Sequence, residues 1–220
     1  QESRGLGDVY KRQRVDFINY WLYTFTATCL LCLVEPFVAI WLGQDFVLTK
    51  AILILAVAIY YFKGINSGID IAKNAAGLYY PDRFIPMAEA IANMVISIVL
   101  AKRYGIAGVL FGTLVSFLAL SFWAKPYFVC RDVFEVSFAR HAVREGREIV
   151  VSVLVAAGTW YAVSLVSLEN VLLSFGVKAL LALALSNGLL LLVYFKTSEF
   201  QYLRGLLESA ANRIGKRKKA

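Results

Sequence analysis

Long apolar stretches separated by short polar segments dominate the chain. They lie at about residues 17–42, 46–78, 84–101, 106–124, 149–166 and 171–195. A helix needs about 20 apolar residues to cross the roughly 30 Å hydrocarbon core of a bilayer. Only helices and closed barrels satisfy their backbone polar groups in lipid. The pattern therefore predicts an all-α, polytopic membrane helix bundle with about six transmembrane helices.

The polar segments divide these spans into groups. We expect four transmembrane helices within residues 14–124 and two additional helices within residues 149–195. An amphipathic connection over residues 125–148 joins the two groups, and a basic tail covers residues 196–220. The connection and the tail both favour helices in the membrane interface, which either bind anionic lipid or anchor the topology.

Composition strengthens the membrane interpretation and argues against an enzyme. Hydrophobic residues make up 60% of the chain and charged residues 17%, whereas about 25% of residues are charged in soluble domains. His141 is the only histidine, and the sequence contains neither G-x-S-x-G nor H-E-x-x-H. The C-x-x-C pair Cys29 and Cys32 lies inside an apolar span, which favours packing. We expect no catalytic residue, metal site, cofactor or soluble catalytic domain.

The first thirteen residues contain a stretch that resembles a sequence of artificial origin. Residues Asp8–Gln13 read D-V-Y-K-R-Q, which resembles the translation of a transposase library adapter. We therefore interpret residues 1–13 as translated adapter and expect the native protein to extend further at its N-terminus. The alternative is a natural basic segment beside the first span.

The distribution of charge predicts an orientation. The net charge is +8, and basic residues cluster beside alternate ends of the spans, as in membrane proteins whose cytoplasmic loops are rich in Lys and Arg. The outer side would hold only Lys50, Lys102 and Arg103. The inner side would hold Arg83, Lys125, Arg131, Arg140, Arg144, Arg147, Lys196, Arg204, Arg213 and Lys216–Lys219. We expect a cytoplasmic C-terminus and no nucleic-acid partner.

The second predicted helix carries a polar stripe. At 100° per residue its polar positions share a sector of about 120°. They are Lys63, Asn66, Ser67, Asp70, Lys73, Asn74 and Gly77. One interpretation is that the stripe lines a transport cavity, where lysines attract an anionic substrate and Asp70 pairs with Lys63 or Lys73 or takes up a coupling cation. The alternative is a stripe solvated at the inner headgroups.

Polar residues on two other predicted helices are further candidates for ion coupling or for the cavity lining. Glu35 precedes Pro36, which is expected to kink the first span, and a carboxylate at a helix break is a candidate for H⁺ or Na⁺ coupling. Alternatively, the Glu35 side chain is solvated at the outer membrane interface and has no role in coupling. Glu89, Asn93 and Ser97 recur at i, i+4 and i+8. They either continue the cavity lining or form hydrogen bonds between helices.

A family resemblance rests on residues between Glu35 and Phe117. The pattern P-x-x-x-x-W-L-G is followed by N-x-x-x-S and then by G-I-x-G-x-x-x-G-T-x-x-S. Its members here are Pro36, Trp41, Leu42, Gly43, Asn93, Ser97, Gly105, Ile106, Gly108, Gly112, Thr113 and Ser116. This stretch is similar to the C-terminal lobe of bacterial Wzx-type polysaccharide flippases, which belong to the multidrug/oligosaccharidyl-lipid/polysaccharide exporter superfamily.

The resemblance implies a function and an incomplete transporter. The spans would be helices nine to fourteen of a fourteen-helix, two-lobe protein, and the N-terminal lobe would be missing. The whole protein would move undecaprenyl-diphosphate-linked oligosaccharide across the bacterial inner membrane by alternating access, for O-antigen, capsule or exopolysaccharide synthesis. The alternatives are a multidrug or lipid II flippase of the same superfamily, a membrane-embedded polysaccharide ligase or polymerase, and a non-transporting scaffold.

Overall fold

The computed structural model describes residues 2–75, 77, 83–132, 137–197, 200, 201, 204 and 205, without the side chains of residues 2–14, 72, 75 and 132. Within these residues the regular structure is helical. The helices are α1 (Glu2–Trp41), α2 (Lys50–Ala75), α3 (Ile85–Ala119), α4 (Ser121–Asp132), α5 (Phe138–Ser164) and α6 (Val171–Tyr194), with a 3₁₀ turn at Gln44–Phe46.

Five helical stretches are long and apolar enough to cross a membrane. They are Val15–Trp41, Lys50–Ile71, Ile85–Arg131, Phe138–Ser164 and Val171–Tyr194. Many of their large apolar side chains face outwards, as expected when lipid is the solvent. The chain is therefore a multi-pass, all-α membrane protein, and the predicted fold class is confirmed.

The third of these stretches folds back on itself at Gly105. This residue has φ 57° and ψ −135°, a left-handed conformation that glycine adopts without steric cost. The Ser97 Oγ lies 3.2 Å from the carbonyl oxygen of Val109, and the Thr113 hydroxyl donates to Asn93 Oδ1 at 3.1 Å. Two antiparallel arms therefore pack side by side, and they correspond to the predicted third and fourth spans.

Helix α2 and the second arm of this hairpin, continued by α4, run in the same direction. Lys63 near the middle of α2 lies over Phe117, and Asp70 further along pairs with Lys125. Between them the Phe62 and Phe122 rings are 5.5 Å apart. Parallel packing follows from the hairpin, because the first arm returns the chain to the membrane face where α2 began.

Other boundaries differ from the prediction. Helix α2 begins at Lys50, not near Phe46, because Gly43 has φ 100° and starts a 3₁₀ turn. The described parts of the predicted connection over residues 125–148 are largely helical, but α4 continues to Asp132 and the next candidate membrane span already begins at Phe138, not near residue 149. Residues 133–136 of the predicted interfacial helix, and residues 206–220 of the tail, lie outside the described residues.

Helices α1, α5 and α6 share the main apolar core. Phe17 and Tyr20 of α1 pack with Val155, Leu190 and Tyr194. Further along, a second cluster joins Cys32 to Val163 and Ala182, with Cys29 beside it. All three cysteines are free thiols. The C-x-x-C pair thus occupies packing positions in the described structure.

Candidate functional site

Two opposite sides of α2 carry the candidate features. On one side, Lys63, Asn66 and Asp70 lie one turn apart, and Lys63 and Asp70 contact α3 and α4. We name these three residues, together with Lys125 of α4, the polar row. The Lys125 Nζ lies 3.0 Å from Asp70 Oδ1, and the Lys63 Nζ lies 5.7 Å from the centre of the Phe117 ring. The row therefore joins α2 to the hairpin through charged and aromatic contacts.

Asn66 stands at the centre of the polar row and is 1% exposed. Among the described residues, neither its amide nitrogen nor its amide oxygen has a hydrogen-bond partner. A buried polar group without a partner costs about 1–3 kcal/mol of stability. The row thus offers both a donor and an acceptor at a place shielded from solvent.

The pairing of Asp70 corrects the prediction. The sequence pattern gave Asp70 a lysine partner on its own helix, Lys63 or Lys73, or else a coupling cation, whereas the structure pairs it with Lys125, 55 residues away. The reason is tertiary, because parallel packing of α2 and α4 brings the Lys125 side chain opposite the carboxylate. Lys73 is half-buried and Asn74 is exposed at the end of α2.

The predicted polar positions of the first hairpin arm make contacts with neighbouring helical segments. The Asn93 Oδ1 accepts from Thr113 of the second arm, and it lies 2.9 Å from the Ser97 hydroxyl. Glu89 accepts a hydrogen bond from Ser121 at the start of α4. For Asn93 and Ser97 these contacts fit the expected hydrogen bonds between helices, which help hold membrane helices together.

On the other side of α2, a cavity of about 440 Å³ lies between α1, α2 and α5. We name it the α1–α2–α5 cavity. Its walls are almost entirely apolar and include Leu31, Leu53, Ile54, Val57, Val153 and Ala157. None of the residues predicted to line a transport cavity lines this one: Lys63, Asn66, Asp70, Lys73, Asn74, Glu89 and Asn93 all lie elsewhere. Their assignment to a cavity stays a prediction.

Three hydroxyl groups close one end of the α1–α2–α5 cavity. Tyr61 donates to Ser152 Oγ at 2.8 Å, and Thr24 Oγ1 lies 2.7 Å from the same oxygen. Ser152 in turn donates to the carbonyl of Glu148 at 3.0 Å. We name Thr24, Tyr61 and Ser152 the hydroxyl cluster. Its members satisfy one another, so it holds three helices together without offering an unpaired polar group.

Two opposite charges stand at the other end. Glu35 of α1 and Lys50 of α2 both line the cavity, and we name them the charged mouth. The Lys50 Nζ lies 5.9 Å from the centre of the Trp160 ring. Within the described part of the chain, neither charge has an ion-pair partner. Glu35 is thus the one predicted residue that lines this cavity, and its role in ion coupling stays a prediction.

Sequence reasoning missed Lys50, Trp160 and the hydroxyl cluster. A signal existed for α1, since Thr24 and Thr28 share one helix face at i and i+4 and both line the cavity. Polar side chains at such spacing in an apolar helix indicate a face turned toward other helices. Tyr61 gave no comparable signal, because the residues three and four positions away from it on α2 are apolar or glycine.

Comparison with known proteins gives no assignment. No family model matches the chain, and neither a curated protein nor a solved structure matches it. What the structure establishes is the coarser identity, a multi-pass membrane protein built entirely of helices in its described part.

Proposed function

We propose that the chain is part of a flippase that carries undecaprenyl-diphosphate-linked oligosaccharide across the bacterial inner membrane. The observation that carries the proposal is the polar row, in which two lysines and a carboxylate lie beside an unpartnered buried amide where α2 packs on α3 and α4. Charged groups within membrane helices are costly, and they mark substrate or ion pathways.

The chemistry of the polar row suits a diphosphate. Lys63 and Lys125 supply two ammonium groups, and the buried Asn66 amide, about one turn from Lys63 on α2, supplies a hydrogen-bond donor. Asp70 pairs with Lys125 at 3.0 Å. A diphosphate competes with this carboxylate for the same ammonium group, so substrate binding loosens the link between α2 and α4.

The place of the row along α2 supports loading from one side of the membrane. Lys63 to Asp70 lie in the second half of the Lys50–Ile71 span, toward the end where the predicted cytoplasmic basic residues collect. In this proposal the C-terminus is cytoplasmic and the substrate enters from the inner leaflet. Alternating access then moves one bundle against another around the row, with H⁺ or Na⁺ as the coupling ion at Asp70 or Glu35.

The test is complementation in the bacterial host. We delete the full-length gene and restore it as wild type or with Lys63→Ala, Asp70→Asn or Lys125→Met, at matched membrane levels. We expect each variant to lower surface polysaccharide and to leave lipid-linked oligosaccharide in the inner leaflet. A matched control is Lys102→Ala, an exposed lysine at the hairpin turn.

The alternative functions give different outcomes. Normal polysaccharide in all three variants at normal levels removes the proposal. Altered drug susceptibility with normal polysaccharide indicates a multidrug exporter, and accumulation of peptidoglycan precursor indicates a lipid II flippase. Lipid-linked oligosaccharide that reaches the outer leaflet without being joined to its acceptor indicates a ligase or polymerase.

A further inference from the structure

The α1–α2–α5 cavity combines apolar walls with two unpaired charges at one end, and the polar row plays no part in it. We propose that this cavity binds a membrane phospholipid with a zwitterionic headgroup that carries a primary ammonium. One acyl chain lies in the cavity, the phosphate contacts Lys50, and the ammonium contacts Glu35.

The walls favour a hydrocarbon chain over a polar solute. From Thr24 to Glu35 the α1 side of the cavity is about 16 Å long, at about 1.5 Å of rise per residue. The hydroxyl cluster at its far end satisfies its own hydrogen bonds. An occupant therefore meets no unpaired donor or acceptor there, as suits the end of an acyl chain.

The cavity is also accessible from the lipid phase. Ile54 and Val153, both in its walls, are 54% and 60% exposed. In a membrane-spanning bundle such outward-facing side chains contact lipid, so a chain enters sideways without leaving the hydrocarbon.

The charged mouth selects the headgroup. Glu35 and Lys50 add to zero net charge, and neither is paired with another charge in the described structure. A lipid that carries only negative charge is attracted by Lys50 but repelled by Glu35. This repulsion applies equally to a diphosphate-linked sugar carrier. A zwitterion satisfies both residues, and Trp160 beside Lys50 fits the headgroup depth at which tryptophan accumulates.

The ammonium type adds a second level of selection. A primary ammonium has three N–H donors for the Glu35 carboxylate, whereas a trimethylammonium has none. The expected order of binding is phosphatidylethanolamine, then phosphatidylcholine, then phosphatidylglycerol.

The test measures bound lipid on the intact full-length protein. Purified protein is incubated with an equimolar mixture of the three phospholipids, all with the same acyl chains, and native mass spectrometry counts the lipid retained. We expect phosphatidylethanolamine to be retained several-fold over phosphatidylglycerol. Glu35→Gln is expected to bring this ratio close to one, and Lys50→Gln to lower retention of all three.

Matched controls distinguish the effect of the charged mouth on lipid retention from the effect of surface charge in general. Glu169→Gln and Lys102→Gln remove exposed charges outside the cavity and are expected to leave retention unchanged. Ala157→Phe fills the wall and is expected to abolish retention, with unchanged helix content by circular dichroism as the check on folding.

Two results overturn the proposal. The first is a wild-type protein that retains no phospholipid, or that retains phosphatidylglycerol as well as phosphatidylethanolamine. The second is a preference for phosphatidylethanolamine that persists in Glu35→Gln. Neither result affects the proposed transport function, because the lipid assay does not depend on transport and leaves the polar row intact.

Discussion

The two sides of α2 differ in the polarity of the residues that they carry. The side with Lys63, Asn66 and Asp70 is rich in polar groups and packs closely against α3 and α4. The side with Leu53, Val57 and Tyr61 borders the α1–α2–α5 cavity and is almost entirely apolar. A polar stripe on a membrane helix therefore does not by itself mark open space, since a neighbouring helix can supply an opposite charge, as Lys125 does for Asp70. The following predictions test this difference, from the largest expected effect to the smallest.

The ion pair between Asp70 and Lys125 gives the strongest test of the polar row. Asp70→Asn and Lys125→Met are each expected to lower transport strongly while lowering the free energy of unfolding by only about 1 kcal/mol, because the Asp70 side chain of this pair is 41% exposed and solvent weakens the attraction. The exchange Asp70→Lys with Lys125→Asp restores the pair and is expected to restore thermal stability. Transport by the exchanged protein would show that pairing alone matters and that Lys125 has no role in binding the substrate.

A substitution of Asn66 tests whether thermal stability and transport can be separated within the polar row. Replacing an unpartnered buried amide by an apolar group of similar size is expected to be neutral or stabilising. We expect Asn66→Leu to keep or raise the unfolding temperature and to lower transport on the order of tenfold, the factor produced by about 1.4 kcal/mol of lost hydrogen bonding. Unchanged transport in this variant, measured by polysaccharide export, would assign Asn66 to packing alone.

Gly108 tests the hairpin on which the row depends. A Cβ at this position would overlap the backbone of Leu100 in the other arm, so the arms must separate. Gly108→Ala is expected to lower the free energy of unfolding by about 1–3 kcal/mol, as overpacking generally does.

The control for this variant is Gly188→Ala. An added Cβ there meets no atom within 4 Å, and removing a glycine from a helix interior is expected to stabilise by about 0.5–1 kcal/mol. Equal thermal stability of the two variants would contradict the close approach of the arms.

Thermal stability and transport are expected to change least when a single polar group is replaced on the cavity side of α2. Ser152→Ala removes the oxygen shared by Thr24 and Tyr61. Hydrogen bonds between membrane helices contribute on average about 0.6 kcal/mol, so we expect a small fall in thermal stability and normal transport. A loss of transport with stability retained would assign the hydroxyl cluster to the transport path and reverse the roles of the two sides of α2.

The sequence predicted the fold better than it predicted the site. Apolar length alone identified the membrane-spanning helices, and the break between the apolar stretches 84–101 and 106–124 indicated where the hairpin turns. Helical periodicity placed Lys63, Asn66 and Asp70 on one face, but it carries no information about which helix meets that face. The Asp70–Lys125 pair and the convergence of Glu35 with Lys50 depend on tertiary packing between segments distant in the chain.

The shared direction of α2 and α4 has an electrostatic consequence at their ends. Each helix has a macrodipole with partial negative charge at its C-terminus, and in parallel helices these ends lie on the same side of the bundle. Lys73 in the last turn of α2 and Arg131 in the last turn of α4 place positive charge against those ends. These basic residues therefore stabilise the folded helix pair as well as biasing its orientation. Reversing their charge would disturb folding and topology together.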